Sequence, residues 1–407
     1  MSDYDLIVAG GGLVGASLAA ALHGSGLRVA VIEAAAPGSA MQPSFDERQT
    51  ALAPSSRRFF EALGLWRDIA AEAAPIRAIH VSERGRFAAT RMYAGDEGLD
   101  ALGHVAPNRV LGRVLRPAME KSATCYTPAT VTGVSAGEDT VHVDVSGADG
   151  DTTLSARLLA VADGSASPLC EQLGVPRRNR DYGQTAVIAN VGVERGDGGW
   201  AFERFTPEGP LAMLPAGQGR YAAVWTLPHE RAEAMAALDE ATFLDALQRA
   251  FGWRLGRLVA AGARARYPLR AIDAVEVTGA RTVVLGNAAH TLHPVAGQGF
   301  NLALRDVAEL AERAGAAVAA GGDCGADDIL AGYAVARRGD VRRTSSFTDV
   351  LVRGFSNRLP GITAARGAAL AALELLPAVR RTLITHAMGR AGRQPRLARG
   401  LPLWEGR

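Results

Sequence analysis

The first hydrophobic positions form a continuous run. YDLIVAG (Tyr4 to Gly10) is apolar and ends in glycines, ASLAAALHGSG has the alanine and leucine content of a helix, and RVAVIEA (Arg28 to Ala34) is apolar again. Strand, helix and strand within about 30 residues predict a βαβ unit. HVAPNRVLGRVLRPAMEKS reads as helical after Pro107, and TVHVDVSG alternates as a strand does. LSARLLAVADGSASPLCEQLG reads as an apolar strand ending at Asp163 and Gly164, with a helix beginning near Pro168.

The pattern changes between Gln184 and Leu227. TAVIANVGV, AFERFT, GPLAMLP and RYAAVWTL are short β-rich runs punctuated by Gly and Pro, which predicts an antiparallel sheet in an inserted second domain. EATFLDALQRAFGWRLGRLVA (Glu240 to Ala260) reads as helical, and RTVVLG returns as a buried strand. That strand runs into GNAAHTLHPVAGQGFNLALRD (Gly286 to Asp306), with a helix from about Asn301 and mostly helix beyond Asp306.

Composition narrows the class. A chain of 407 residues suits two or three domains, and 48% hydrophobic with 21% charged residues describes a globular, soluble protein. The cysteines Cys125, Cys170 and Cys324 contain no CxxC pair, which argues against a disulfide framework and a cysteine zinc site and fits a reducing cytoplasm. MSDYDLIVAG lacks the basic segment and longer apolar core of an export signal, and no apolar run reaches the roughly 18 residues of a membrane-spanning helix. The net charge of +2 hides an asymmetry: from Ala336 onward 14 arginines face Asp340, Asp349, Glu374 and Glu405. A solvated helix face accounts for that basic tail, with contact to an anionic membrane surface or acidic partner as the alternative. Lys121 is the only lysine, so Schiff-base chemistry is excluded elsewhere. No HxxxH, HExxH or strand-borne GxSxG occurs, so metal and hydrolase chemistry lack support, as does nucleic-acid binding.

Two glycine clusters carry the chemistry. Gly10, Gly11, Gly12, Leu13, Val14 and Gly15 form G-x-G-x-x-G between strand and helix, where bare backbone N–H groups can approach a pyrophosphate at the positive helix end. Glu33, closing the second strand, is placed to accept hydrogen bonds from an adenosine ribose. NAD, NADP and FAD offer the same adenosine diphosphate to such a turn. The second cluster, through Gly286, Asn287, Pro294, Gly297, Gln298, Gly299 and Asn301, points another helix N-terminus at a ligand.

GGGLVG with Glu33, VADG at Val161 to Gly164, and GNAAHTLHPVAGQGFNLALRD together resemble the FAD-dependent aromatic monooxygenases of the p-hydroxybenzoate hydroxylase type. FDERQTAL, HVSERG, AFERFT, GPLAMLP and FGWRLG are similar to the ubiquinone-biosynthesis hydroxylases, and most to the 2-polyprenyl-6-methoxyphenol hydroxylase branch. The likeness runs from about residue 4 to about residue 350. It implies an α/β fold: a Rossmann-like FAD-binding domain built from 1–75, 100–180 and 265–320, an inserted antiparallel substrate domain from 76–99 and 181–264, and a basic helical C-terminal region at 321–407.

The same resemblance places Gly10, Gly12 and Gly15 on the FAD pyrophosphate, Glu33 on the ribose, and Arg48 at the phosphate or ribityl region with Asn108 or Arg113 nearby. Asp163 falls beside the pyrophosphate and a nicotinamide-nucleotide groove. Asn287 stands where the superfamily has a ribityl-binding Asp, and its side-chain oxygen can still accept a hydrogen bond. Gly297, Gln298 and Gly299 would present N–H groups to the flavin pyrimidine edge. His290 and His293 read as packing residues of this loop, with a catalytic His290 as the minor alternative. Phe205, Leu214, Pro215 and Pro294 are the substrate-side candidates, and the residues name no general base.

The implied activity is hydroxylation of a polyprenylated methoxyphenol on the route to ubiquinone. NAD(P)H would reduce FAD, and O2 would form a C4a-hydroperoxide that attacks the ring with water excluded. Accessory quinone-biosynthesis or lipid-carrying proteins and peripheral contact with the inner membrane are implied as partners of a cytoplasmic enzyme. A flavin hydroxylase of a small soluble aromatic, or a flavin-bearing scaffold of a biosynthetic complex, are the competing readings.

Overall fold

The structure is a computed structural model, and it describes residues 2–36, 39, 48–86, 89–148, 150–196, 198–355 and 392–404. Two large sheets dominate it. The first has eight strands, of which six run in the order Thr278–Gly279, Thr282–Val284, Gly150–Val161, Tyr4–Ala9, Val29–Ile32 and Thr124–Tyr126. Tyr4–Ala9 pairs in parallel with both neighbours. Leu6, Ile7 and Val8 are wholly buried, because the sheet is covered on both faces and a continuous apolar run is what such a strand requires. Helices Leu13–Leu22, Asn108–Ser122 and Gln298–Ala319 lie on one face, and the antiparallel strands Ala129–Ala136 and Val141–Gly147 carry apolar side chains to the other.

The nine-stranded second sheet has the order His290–Thr291, Ala265–Ala274, Arg177–Val193, Arg220–Pro228, Gly209–Pro215, Trp200–Thr206, Ala78–Glu83 and Ala89–Tyr93, with Leu258–Ala261 added at Arg177–Val193. It is mixed rather than wholly antiparallel, since Trp200–Thr206 and Ala78–Glu83 run parallel. Helices His229–Ala237 and Glu240–Phe251 bury one face. Ala265–Ala274 belongs to this sheet, although the sequence pattern groups residues from 265 onward with the nucleotide-binding domain. A small sheet of Gln49–Leu52, Gly103–Pro107 and Ala74–Ile76 lies alongside.

Two expected helices are shorter than predicted. The helix from Glu240 stops at Phe251 because Gly252 takes φ +93°, and Leu258–Ala261 follows as a strand. Near Pro168 the helix is only the five residues Pro168–Gln172. At the C-terminal side, Asp327–Phe355 is one 29-residue helix, and the expected helical stretch from 356 to 391 lies outside the described residues. Among the described residues no helix is long and apolar enough to cross a membrane.

Candidate functional site

The first glycine cluster is packed so tightly that backbone has replaced side chain. A Cβ at Gly15 would sit 1.9 Å from the Gly10 carbonyl oxygen, and one at Gly10, whose φ is +104°, would sit 2.5 Å from the carbonyl oxygen of Ala162. Asp163 therefore lies directly against the turn, its Cα 3.0 Å from that same Cβ position. Burial pushes the Asp163 carboxyl up from the usual carboxylate range, against the lowering influence of the Ser167 hydroxyl, the Leu169 amide and Arg177.

Beside the turn a small cleft is lined by Gly11, Gly12, Leu13, Glu33, Arg116 and Thr127, among others. Glu33 accepts from the Gly11 amide at 2.6 Å through Oε2 and from the Ala35 amide at 2.8 Å through Oε1. Its carboxylate is thus held at the mouth of the glycine turn. Arg113 is elsewhere: it donates to Glu72 at 2.5 Å on the outer side of the Asn108–Ser122 helix and lines neither this cleft nor the larger cavity. Arg116, one residue short of a turn further along that helix, takes the position facing the cleft.

The second cluster lies next to the first. A Cβ at Gly286 would meet Val14 Cγ2 at 3.0 Å, so the two turns, some 270 residues apart, are neighbours in space. Asn287 is exposed and turned toward a cavity of about 540 Å³, which Pro294, Ala296, Gly297, Gln298 and Gly299 also line. Ala296 and Gly297 both have positive φ, 62° and 59°, and their backbone swings the N-terminus of Gln298–Ala319 toward the cavity. A Cβ at Gly299 would touch nothing within 4 Å, so the helix end borders open space at this position. Arg48 and Asn108 line the cavity from its other side; Asn108 accepts from the Thr50 hydroxyl at 2.6 Å, and the Arg48 guanidinium lies 4.8 Å from the Tyr267 ring centroid.

Asn301 does different work. Its Oδ1 accepts from the Ala53 amide at 2.8 Å and the Ser56 hydroxyl at 2.7 Å, and its Nδ2 donates to Ala51 O at 2.8 Å and Gly297 O at 2.7 Å. All its hydrogen-bonding capacity is taken by the chain itself. It staples the glycine turn to the strand Gln49–Leu52 and leaves nothing for a ligand.

The histidines of this segment face inward. His290 Nε2 is 2.5 Å from Asp306 Oδ2, and Asp306 Oδ1 accepts from Arg337 Nε at 2.7 Å. Arg337 and Arg305 then share Asp340 Oδ2, each at 2.7 Å. Burial alone would raise the Asp306 carboxyl, but His290 and Arg337 outweigh it and hold it down to about 2. None of these five side chains lines the cavity. His293 is packed edge-on against Tyr182, its Nδ1 accepts from the Val295 amide at 3.2 Å, and burial lowers its pKa to about 4.

The rest of the cavity is one face of the second sheet. Ile79, Val81, Ala201, Phe205, Ala212, Leu214 and Val224 form it, with Phe347 and Leu351 of Asp327–Phe355 across from them. Phe205, Leu214 and Pro294 are therefore at the wall, whereas Pro215 is not. The sequence reading missed Thr90, Met92, Glu203 and Tyr267 in this wall; only strand pairing reveals which of them share its face.

The donor set fits a long anionic dinucleotide. One helix N-terminus and an acidic side chain stand at the cleft, and a second bare helix N-terminus stands at an apolar cavity sized for a small-molecule ring system, within the usual range of about 300–1,000 Å³. Comparison with known proteins agrees. The chain is 38% identical over 404 residues, 98% of its length and 93% of the relative's, to "Ubiquinone hydroxylase UbiL" of Rhodospirillum rubrum. It is 29% identical over 391 residues to the 3-demethoxyubiquinol 3-hydroxylase of Escherichia coli, covering 95% of this chain and 98% of that one. Among solved structures, p-nitrophenol 4-monooxygenase PnpA from Pseudomonas putida superposes with a TM-score of 0.78 at 22% identity over 96% of this chain and 98% of that one, which establishes the shared fold. Residues 3–347 match the FAD binding domain family, and the chain belongs to it as an FAD-dependent monooxygenase.

Proposed function

We propose that this protein hydroxylates the aromatic ring of a polyprenylated methoxyphenol on the route to ubiquinone, with NAD(P)H and O2 as co-substrates. The observation that carries the reading is the cavity: its glycine-turn end offers backbone amides, and the face opposite is an almost unbroken apolar wall. A polar ring can sit against the first while a hydrocarbon tail is buried against the second. The names of the relatives from R. rubrum and E. coli support the same substrate class.

FAD, when bound and reduced, supplies the activation of O2. Gly10, Gly11, Gly12 and Gly15 would hold its pyrophosphate, Glu33 its ribose, Arg48, Asn108 and Asn287 its central chain, and the amides of Gly297, Gln298 and Gly299 the pyrimidine edge. Asp163 borders the pyrophosphate from the neighbouring strand. The remaining work belongs to the wall: Phe205, Leu214 and Pro294 orient the ring and exclude water, because an activated oxygen exposed to water is lost without hydroxylation. The paired arginines of Asp327–Phe355 are partly committed, since Arg337 is buried. Contact of the remaining basic surface with an anionic membrane or a lipid-carrying protein completes the proposal, as the substrate dissolves poorly in water.

Mass spectrometry of quinone intermediates in a deletion strain tests it. Accumulation of a polyprenyl-methoxyphenol is the expected result. Unchanged ubiquinone, or purified protein whose NAD(P)H oxidation responds to hydroxybenzoates and not to prenylated phenols, overturns it.

A further inference from the structure

The apolar wall of the cavity contains one carboxylate. Glu203 lies in the strand Trp200–Thr206 between Ala201 and Phe205, which share its face, and its in-register neighbours are Val81 on one side and Ala212 on the other. All four neighbours line the same cavity and none can hydrogen-bond through its side chain. Among the described residues no hydrogen bond or ion pair reaches the Glu203 carboxylate. A lone carboxylate beside hydrocarbon is costly to fold around, by several kcal/mol unless it is neutralised or partnered. Such a group in a cleft is a candidate for chemistry, because stability alone gives no reason for it.

Its position along the strand also matters. Phe205, two residues further on and thus about 7 Å away, packs in one buried cluster with Val295. Val295 immediately precedes Ala296 and the helix end that faces the cavity. Glu203 therefore stands in the wall of the same cavity as that turn, one same-face strand position from the residue that packs against its lead-in. The other ionisable side chains lining the cavity are Arg48 and Tyr267, which stack on one another. On the flanking strand Ala78–Glu83 one further carboxylate, Glu83, stands in register with Phe205 and alternates with Ile79 and Val81 but does not line the cavity, while His80, Arg204 and Arg254 belong to the opposite face, where burial first and neighbouring arginines second lower their pKa values.

We propose that Glu203 is the catalytic base of the cavity: it accepts the proton of the substrate's ring hydroxyl, and the site therefore takes a phenol and commits it as phenolate. The proposal rests on the functional reading above. In this step the phenol O–H bond breaks, its electron pair stays on the substrate and spreads to the ring carbons ortho and para to the oxygen, and the proton becomes the acid proton of Glu203. Charge moves from one oxygen to another without being created in the apolar wall, so no external acid or oxidant is needed. Burial pushes the Glu203 carboxyl up to about 7, which brings it toward a phenol at about 10 and makes the transfer far less uphill than it would be to an ordinary carboxylate.

The test uses FAD-loaded wild type, Glu203→Gln and Glu203→Asp, with a methoxyphenol carrying a single prenyl unit as probe. Hydroxylated product is quantified against NAD(P)H consumed between pH 5.5 and 9, and phenolate is read from the near-ultraviolet difference spectrum of the oxidised complex. Expected for Glu203→Gln are full flavin content, a KM within about threefold, kcat lower by at least about 100-fold, and loss of the phenolate band. The wild type should gain activity as pH rises through about 7, a limb absent from the Gln variant and retained by Glu203→Asp with partial activity. If the wild type hydroxylates the probe and Glu203→Gln does so within threefold on the same pH profile, the proposal alone falls. If the wild type hydroxylates no phenol, the functional reading falls and takes the proposal with it.

Discussion

Replacing Arg337 by Met should destabilise the protein without stopping its chemistry. Arg337 is 4% exposed and holds two carboxylates at once, Asp306 through Nε and Asp340 through Nη1, each at 2.7 Å. The substitution keeps most of the aliphatic stem and removes the charge. Asp306 is then left with His290, and Asp340 with Arg305. Breaking a buried ion pair from one side costs about 3–5 kcal/mol, since the remaining charge stays buried. Unfolding entropy near 60 °C is about 2.1 cal/mol/K per residue, or about 0.85 kcal/mol/K for 407 residues. The midpoint should therefore fall by about 4–6 °C, and by more if the nucleotide-binding half melts separately, because a smaller unit carries less entropy. Thermal denaturation followed by circular dichroism at saturating FAD separates this from a change in cofactor affinity. Arg337→Lys should recover only part of the loss, as an ammonium lacks the fork that reaches both acids. A midpoint shift under 1 °C combined with collapsed turnover at 20 °C would mean that this network serves catalysis and that the structural reading is wrong.

Three further outcomes follow from the same geometry. Gly15→Ala forces a Cβ to within 1.9 Å of the Gly10 carbonyl oxygen and should yield folded protein purifying with less than a tenth of the wild-type flavin absorbance; full occupancy would show that the turn does not hold the pyrophosphate. His290→Gln can still donate to Asp306, so flavin content and at least a third of turnover should survive; loss of hydroxylation at full flavin occupancy would restore His290 as a catalytic residue. His80 and His293 are 4% and 1% exposed with pKa values lowered to about 4 by burial, aided at His80 by Arg254 and Arg91. The unfolded chain therefore binds their protons first, and stability that is full above about pH 6.5 is lost as pH falls toward 4. Urea denaturation at pH 5 should give about 2 kcal/mol less stability per histidine than at pH 7.5, and equal midpoints at the two values would refute the assignment.

What the sequence makes legible here is what the backbone demands locally. G-x-G-x-x-G can be read because Gly10 and Gly15 face each other across four residues, and no distant contact is needed to forbid a side chain there. Glu33 is legible for the same reason, as the next strand returns it to Gly11. Arg113 is misplaced because helix phase decides between it and Arg116, and the motif fixes only that a helix follows Pro107. His290 and Asp306 are 16 residues apart and Arg337 lies on another helix, so no local pattern announces that the loop histidine belongs to an ion network. Glu203 and Arg204 are adjacent in AFERFT, yet strand alternation sends one into the cavity and the other to Ala250 O on the far face.

Several polar side chains around the second glycine turn are held by the protein itself. Asn301 ties the turn to Ala51, Ala53 and Ser56, His293 receives the Val295 amide, and His290 leads into the Asp306–Arg337–Asp340–Arg305 chain. This is what a site built on main-chain donors requires. Amides at a helix end are useful to a cofactor only if the turn that presents them cannot relax, and each side chain spent on the scaffold removes a way for it to do so. The same economy explains why the wall opposite is apolar: a second hydrogen-bonding group there would compete for the ring that the amides and the hydrocarbon face hold between them. Against that background a carboxylate set among the hydrocarbon of the wall needs a chemical reason, and for Glu203 that reason is the substrate it meets.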